Sequence, residues 1–123
     1  MILDHLTLHV RDLARSARFY AEALAPLGVV IGYQDEHTAG LGLPGEPQLW
    51  LAQADAPQAV HLAFRAKDRA GVRAFHEAAL AAGGQDNGGP GLRPHYHPNY
   101  YGAFVHDPDG HNLEAVTHLP EAD

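Results

Sequence analysis

Residues 5–28 read HLTLHVRDLARSARFYAEALAPLG, and residues 61–84 read HLAFRAKDRAGVRAFHEAALAAGG. Shifted by 56 positions without a gap, the two stretches are identical at nine of 24 positions. The matches include a His, an Asp, a Phe and a closing Gly, which are residue types that folds place at special positions. We therefore interpret the chain as a duplicated module.

Each copy has the same local pattern. Apolar residues recur at every second position over the first six residues, which is the period of a half-buried strand. Asp12 and Asp68 follow, where a side chain can cap the start of a helix. Apolar residues then recur at helical spacing, and Gly28 and Gly84 suit a left-handed turn beyond the two helix ends.

Short apolar runs split by Gly and Pro follow each helix and predict further strands. Pro108 and Gly110 lie between the last two runs, where Pro fixes φ and Gly tolerates a positive φ, so a hairpin turn is predicted. The predicted strands are residues 29–33, 38–43 and 48–53 in the first copy and, in the second, a weak one near residue 85, then 101–106 and 112–117.

These patterns predict an α+β protein built from two tandem βαβββ modules, whose mixed sheet curls into a cup with the helices outside. We expect one domain over residues 1–123, made of module 1–55 and module 58–123. Residues 86–100 are rich in Gly and Pro, and we predict a long loop there that serves function.

Composition excludes several classes of protein. Apolar residues make up 46% and charged residues 19% of 123 residues, as in folded domains, and there is no cysteine for a disulfide or a thiolate metal site. No apolar stretch approaches the roughly 20 residues that cross a bilayer, and the N-terminus has no signal-peptide pattern, so we expect a cytoplasmic protein. Eight basic and fifteen acidic residues give a net charge of -7, which disfavours a nucleic-acid partner.

The strand pattern also predicts a metal site. If Leu6 and Leu62 lie under their helices, His5 and His61 face the opposite side of the sheet, where the cup brings them together. Glu114 in the last strand can face the same interior. Each residue alone is more often structural or solvated, but two imidazoles and a carboxylate together suit Fe, Mn, Ni or Zn as divalent ions.

Three motifs resemble those of the vicinal oxygen chelate superfamily. They are the stretches that begin at His5 and at His61, and residues 107–114, Asp-Pro-Asp-Gly-His-Asn-Leu-Glu. That group contains glyoxalase I, extradiol dioxygenases and bleomycin-binding proteins. The resemblance implies a divalent metal at His5, His61 and Glu114, and a small-molecule substrate chelated through two adjacent oxygens. It also implies a homodimer, in which His5 of one subunit completes a site with His61 and Glu114 of the other.

One position departs from the glyoxalase pattern. Aligning the two hairpins with a shift of 64 puts Trp50 opposite Glu114, where glyoxalase I and the epimerases carry a carboxylate or an amide. An indole offers no lone pair to a metal or a proton, so the two-base isomerisation of those enzymes is not expected. Phe104 stands where the extradiol dioxygenases tend to carry a Tyr, so no single reaction is indicated.

We expect a metal-dependent enzyme of glyoxalase or dioxygenase type, a lyase, isomerase or oxidoreductase. Trp50 and Phe104 are candidate substrate contacts, and the acid/base candidates are His95, His97, Tyr100 and Tyr101. The alternatives are a non-catalytic drug- or metabolite-binding protein of bleomycin-resistance type, or an interaction module with a vestigial site.

Overall fold

The computed structural model describes residues 3–121. It contains eight strands, two α-helices and one short 3₁₀ helix within those residues. No helix in this range is long and apolar enough to cross a membrane. In chain order the elements are β1 (Leu6–Val10), α1 (Leu13–Leu24), the 3₁₀ helix (Ala25–Leu27), β2 (Val30–Gln34), β3 (Thr38–Leu43), β4 (Glu46–Gln53), β5 (His61–Arg65), α2 (Arg69–Ala81), β6 (Gln85–Leu92), β7 (Tyr101–His106) and β8 (Asn112–Thr117).

The strands form two four-stranded mixed sheets with the same topology. Their orders are β1-β4-β3-β2 and β5-β8-β7-β6, with the first and last strands of each module parallel and the other neighbours antiparallel. Neither sheet closes into a barrel. The prediction of an α+β fold with two βαβββ modules is confirmed.

The strand registers show which positions of the two modules are equivalent. Thr7 pairs with Trp50, and Ala63 pairs with Glu114. Because Thr7 and Ala63 are related by the 56-residue shift, Trp50 and Glu114 occupy equivalent places. The alignment that set them opposite each other is therefore confirmed.

Each helix covers one face of its own sheet, and the two helices contact each other. The core lies on this helix face and is almost entirely apolar, which is the main source of stability. We call the opposite face of each sheet the cup face. The largest fully buried apolar side chains are Tyr20, Phe19, Phe75, Leu24, Leu41, Leu51 and Leu113.

Both predicted helix caps are present. The side chain of Asp12 accepts a hydrogen bond from Arg15 N, and that of Asp68 accepts one from Gly71 N. Gly28 ends the first helical segment with φ 86°, as predicted.

The prediction for Gly84 was wrong, because the left-handed residue after α2 is Gly83, with φ 103°. Gly84 is restricted for another reason. A Cβ there would stand 2.9 Å from the Ala79 carbonyl oxygen and 3.0 Å from the Phe19 ring.

The prediction of one long loop over residues 86–100 was wrong. Residues 85–92 form β6, which pairs with β7 although the register is irregular around Gly88. Backbone pairing does not require apolar side chains, so a Gly-rich edge strand leaves no alternating pattern in the sequence. The loop is restricted to residues 93–100.

The turn between β7 and β8 joins the two modules. Asp107 is buried and accepts a hydrogen bond from the Tyr20 hydroxyl at 2.6 Å. Asp109, whose side chain is fully buried, accepts hydrogen bonds from Arg11 N at 3.1 Å and from the Ser16 hydroxyl at 3.3 Å. Gly110 adopts φ 86°, as the predicted turn requires. The turn is thus a buried connection to α1.

His111, which follows the predicted hairpin turn, is fully buried. Its Nδ1 accepts a hydrogen bond from Val60 N at 3.1 Å, and its Nε2 lies 2.9 Å from the carbonyl oxygen of His9. It therefore links the starts of β5 and β8 to the end of β1.

Candidate functional site

A histidine–carboxylate pair lies on the cup face of the second sheet. Parallel pairing of β5 with β8 brings His61 beside Glu114, with Nε2 and Oε1 2.9 Å apart. Glu114 is only 2% exposed, although His61 remains half-exposed. Because burying a carboxylate is costly unless it is paired, this glutamate needs the partners around it.

Tyr100 supplies the second partner of Glu114. Its hydroxyl donates a hydrogen bond to Oε2, while His61 lies at Oε1. Burial raises the pKa of Tyr100 well above its ordinary value, and the hydrogen bond to Glu114 raises it further. The Tyr100 hydroxyl therefore keeps its proton at neutral pH and acts as a donor to the carboxylate.

We expect Tyr100→Phe to weaken divalent metal binding about tenfold, because partners that orient a metal-ligating carboxylate typically contribute roughly 10- to 100-fold to affinity. The measurement is a competition titration with a zinc-sensitive dye. Tyr101→Phe is the matched control, because it also removes a tyrosine hydroxyl but from the neighbouring residue, which points to the helix side. Equal zinc affinities for the two variants would contradict a role for the Tyr100 hydroxyl.

Tyr101 is not brought to the pair. It points to the helix side, where the Arg69 guanidinium lies 5.0 Å from its ring centroid and Arg73 Nη1 lies 3.4 Å from its hydroxyl. Backbone pairing continues one residue beyond β7, since the Arg93 amide donates to the Tyr100 carbonyl, so Tyr100 and Tyr101 face opposite sides as successive strand residues do.

The other loop candidates form an aromatic cluster at the rim of the site. The rings of His95 and Tyr96 are 4.2 Å apart, and Tyr96 lies 4.7 Å from Tyr100. His97 Nε2 lies 2.8 Å from His118 Nδ1, and the ring of His97 lies 5.5 Å from that of Tyr100. His97 therefore lies beside Tyr100, whereas His95 is linked to Tyr100 through the Tyr96 ring, and neither histidine forms a hydrogen bond with Glu114 among the described residues.

Phe104 and Arg93 complete the cup face around the pair. Phe104 pairs with Glu114 in the sheet, and its ring centroid lies 6.1 Å from that of His61. The guanidinium of Arg93 lies over the same Phe104 ring, 5.4 Å from its centroid. Arg93 was not predicted from the sequence, because it lies in the segment that was assigned wholly to a loop. Its spacing of two from Gly91 would have placed it on the cup face once β6 was recognised.

Trp50 lies on the cup face of the first sheet, in the position equivalent to Glu114. Its indole covers Gly40, where an added Cβ would stand only 2.8 Å from the ring, and its ring centroid lies 5.8 Å from that of Tyr33. The first module thus presents an apolar aromatic surface where the second presents a carboxylate.

His5 does not join His61 and Glu114 within the chain. Its Nδ1 lies 2.7 Å from Asp4 Oδ1, and its side chain is 58% exposed. His5 lines an apolar groove of about 200 Å³ together with Phe64, near the end of β5. β1 begins at Leu6, so the strand alternation that set the direction of His5 does not extend to it.

The relative direction of β1 and β5 accounts for this separation. His9, at the end of β1, lines a cavity with His61 at the start of β5, so the two strands run in opposite senses. Equivalent residues at the two strand starts therefore lie at opposite ends. Among residues 3–121 no group of three or more His, Asp or Glu side chains is placed to hold a metal.

The donor atoms of the pair nevertheless fit a divalent cation. An imidazole nitrogen and a carboxylate oxygen 2.9 Å apart can contact one ion, and both are preferred ligands of Zn, Fe, Mn and Ni. The pair supplies two ligands, so a complete site needs a further donor.

The chain is similar to known proteins in sequence and in structure. The profile of a family described as glyoxalase-like domain matches residues 5–116. No curated protein matches the sequence.

Several solved structures have the same fold. A glyoxalase/bleomycin resistance protein from Albidiferax ferrireducens T118 superposes with a TM-score of 0.81 at 26% identity, covering 94% of this chain and 98% of that one. A glyoxalase I mutant from Zea mays superposes with a TM-score of 0.71 at 27% identity, covering 93% of this chain and 46% of that one. A glyoxalase/bleomycin resistance protein/dioxygenase family enzyme from Burkholderia phytofirmans PsJN superposes with a TM-score of 0.74 at 18% identity, covering 95% of this chain and 98% of that one. At this identity the likeness shows the fold alone.

Proposed function

Because the chain belongs to the family of glyoxalase-like domains, we propose that it is a metal-dependent enzyme of glyoxalase or dioxygenase type. Its substrate would be a small molecule with two adjacent oxygens. The observation that carries the proposal is the Glu114 carboxylate, buried on the cup face 2.9 Å from an imidazole. A buried carboxylate paired with a half-exposed imidazole supplies the donor types that metal-dependent catalytic sites use.

In this proposal His61 and Glu114 of one chain and His5 of a second chain hold a divalent ion in a homodimer. Half-exposed His61 and exposed His5 are both accessible to such a partner. The chemistry that the ion supplies when bound is Lewis-acid polarisation of the two substrate oxygens.

The residues of the chain would then position the substrate and move protons. Tyr100, held in its protonated form, fixes the Glu114 carboxylate through its hydroxyl. Phe104 and Trp50 provide apolar surfaces that contact the substrate and exclude water. His95 and His97 at the rim are the candidate acid/base groups, because an imidazole can gain or lose a proton near neutral pH.

Mixing two variants that each lack one proposed zinc ligand tests whether the site is shared between chains. We expect neither His5→Ala nor His61→Ala to bind zinc stoichiometrically. A heterodimer of the two would carry one complete site, because the intact His5 of one chain would meet the intact His61 of the other. Zinc content of the mixture, denatured and refolded together, is the measurement, by plasma mass spectrometry.

Two outcomes separate the possible arrangements. Recovery of about one zinc per heterodimer would support the shared site, whereas a site within one chain gives no recovery from any mixture. Full zinc binding by His61→Ala alone would contradict the metal assignment altogether. A mixture of His76→Ala and His5→Ala is the control for refolding, because its heterodimer carries one complete site in either arrangement.

A non-catalytic binding protein is the second candidate function. It is favoured by the separation of His5 from His61 in one chain, and by the net charge of -7, which suits a cationic ligand. Such a protein needs no metal. Absence of metal from the purified protein, with no uptake of added zinc or nickel, would favour this candidate over the enzyme.

A further inference from the structure

We infer that Arg93 binds an anionic group of the substrate, so that the molecules accepted are small organic anions with two adjacent oxygens and a separate carboxylate or phosphate. This inference rests on the proposed function for the position of the two oxygens. The anion site itself depends only on the surroundings of Arg93.

The sheet directs Arg93 and Tyr100 to the same face. Leu92 pairs with Tyr101 at the end of β6 and β7, and the Arg93 amide then donates to the Tyr100 carbonyl at 2.7 Å. Arg93 is therefore opposite Tyr100, one step beyond the last strand pair. Because Tyr100 reaches Glu114, the Arg93 side chain starts beside the proposed site.

Glycines leave room for the guanidinium on this face. A Cβ added at Gly88 would stand 3.3 Å from Arg93 Nη2, and one added at Gly91 would stand 3.1 Å from Nη1. Phe104 supports the guanidinium from its ring face at 5.4 Å. The two glycines and the ring thus hold the cation in a defined place.

The guanidinium keeps donors for a ligand. Nη2 donates to the Gly89 carbonyl at 2.8 Å and Nη1 makes a long contact of 3.5 Å with the Leu92 carbonyl, whereas a guanidinium has five N–H groups. Within residues 3–121 no carboxylate forms an ion pair with Arg93, unlike Arg11, Arg15, Arg69 and Arg73.

The local charge at Arg93 favours an anion, although the charge of the whole protein does not. The Glu114 carboxylate and the net charge of -7 would repel an anionic molecule from the cup. A guanidinium on the Phe104 ring, free of carboxylates and able to bind an oxyanion with two parallel hydrogen bonds, offsets that repulsion locally.

The first experiment measures binding of two probes to the zinc-loaded protein by calorimetry. Catechol and 3,4-dihydroxybenzoate both present adjacent oxygens, but only the second carries a carboxylate. The quantity compared is the ratio of the affinity for 3,4-dihydroxybenzoate to the affinity for catechol. We expect this ratio to be about tenfold higher in the native protein than in Arg93→Met, which is the contribution of a charge-assisted hydrogen bond. Arg93→Lys should retain part of the preference. Arg18→Met, an exposed change of the same charge, should retain all of it.

An equal preference in the native protein and Arg93→Met would overturn the inference. The second experiment does not need the metal. Benzoate and inorganic phosphate are titrated separately into the metal-free protein, and amide resonances of residues 88–104 are followed by NMR. Saturable shifts that weaken at least about fivefold in Arg93→Met but not in Arg18→Met would support the anion site, and the tighter probe would identify its anion. Shifts unaffected by the Arg93 change would refute it.

The two experiments separate failure of this inference from failure of the proposed function. If the zinc-loaded protein binds neither catechol nor 3,4-dihydroxybenzoate, the chelating site is wrong, and the NMR titration still decides whether Arg93 binds anions. If catechol binds and the carboxylate adds nothing, the chelating site stands and the role of Arg93 is refuted.

Discussion

Replacing Glu114 by alanine is expected to lower zinc affinity by at least about a hundredfold, because it removes a proposed metal ligand that is also the partner of His61 and Tyr100. The carboxylate is the only buried acidic group on the cup face of the second sheet among the described residues, and its two oxygens contact His61 and Tyr100. Without it, a metal would keep one imidazole from this chain. Calorimetric titration of the metal-free protein with zinc measures the loss.

Asp86→Ala is the control for the Glu114 variant. Asp86 Oδ1 also lies 2.9 Å from an imidazole, that of His76, but the Asp86 side chain is 60% exposed. The contact with His76 lowers the pKa of Asp86, so the Asp86 carboxylate is charged at neutral pH without being buried on the cup face. Zinc affinity should be unchanged in Asp86→Ala. Zinc affinity that survives in Glu114→Ala, or falls equally in both, would remove the basis of the proposed site.

Replacing Asp107 by alanine is expected to destabilise the fold by about 3 kcal/mol. Its carboxylate accepts hydrogen bonds from the Tyr20 hydroxyl at 2.6 Å and from the amides of Asp109 and His111 at 2.9 and 2.8 Å. The variant leaves these buried donors without an acceptor, which costs more than the bonds themselves contribute. Equilibrium unfolding in urea, followed by circular dichroism, measures the change in the free energy of unfolding.

Two further variants test the origin of this loss. Tyr20→Phe removes one donor and should cost only about 1.5 kcal/mol, since the carboxylate keeps its two amides. Asp12→Ala removes an exposed helix cap and should cost about 1 kcal/mol. The turn would not be the connection we describe if Asp107→Ala cost no more than Asp12→Ala.

Much of the fold could be predicted because a duplicated pattern reports each feature twice. Asp12 and Asp68 cap equivalent helices, and the hairpin shift that aligned Trp50 with Glu114 agrees with the strand registers. Local chemistry was sufficient in these cases, because caps, turns and strand periodicity depend on neighbours in sequence.

Features that depend on distant parts of the chain could not be predicted. β6 has no apolar alternation and is held by pairing with β7, so Arg93 was missed with it. His111 follows the predicted turn and nothing in its neighbours indicates burial, yet its two ring nitrogens face Val60 and His9, residues far away in sequence. For His61 and Glu114, strand phase was sufficient to place both on one face, because both lie within paired strands. His5 precedes β1, so strand phase could not predict the direction of its side chain.

The connection between Tyr20, Ser16 and the last hairpin bears on the order of folding during synthesis. All four strands of the first sheet have been translated once Gln53 is added, so this half can assemble on the ribosome while the second is being made. The hydroxyls of Tyr20 and Ser16 must wait for acceptors that follow 87 and 93 residues later. Contacts so distant in sequence form late and slowly. A nascent chain halted before Asp107 would therefore have a paired first sheet while the Tyr20 and Ser16 hydroxyls on α1 lack their acceptors, and such incomplete states are exposed to chaperones and proteases.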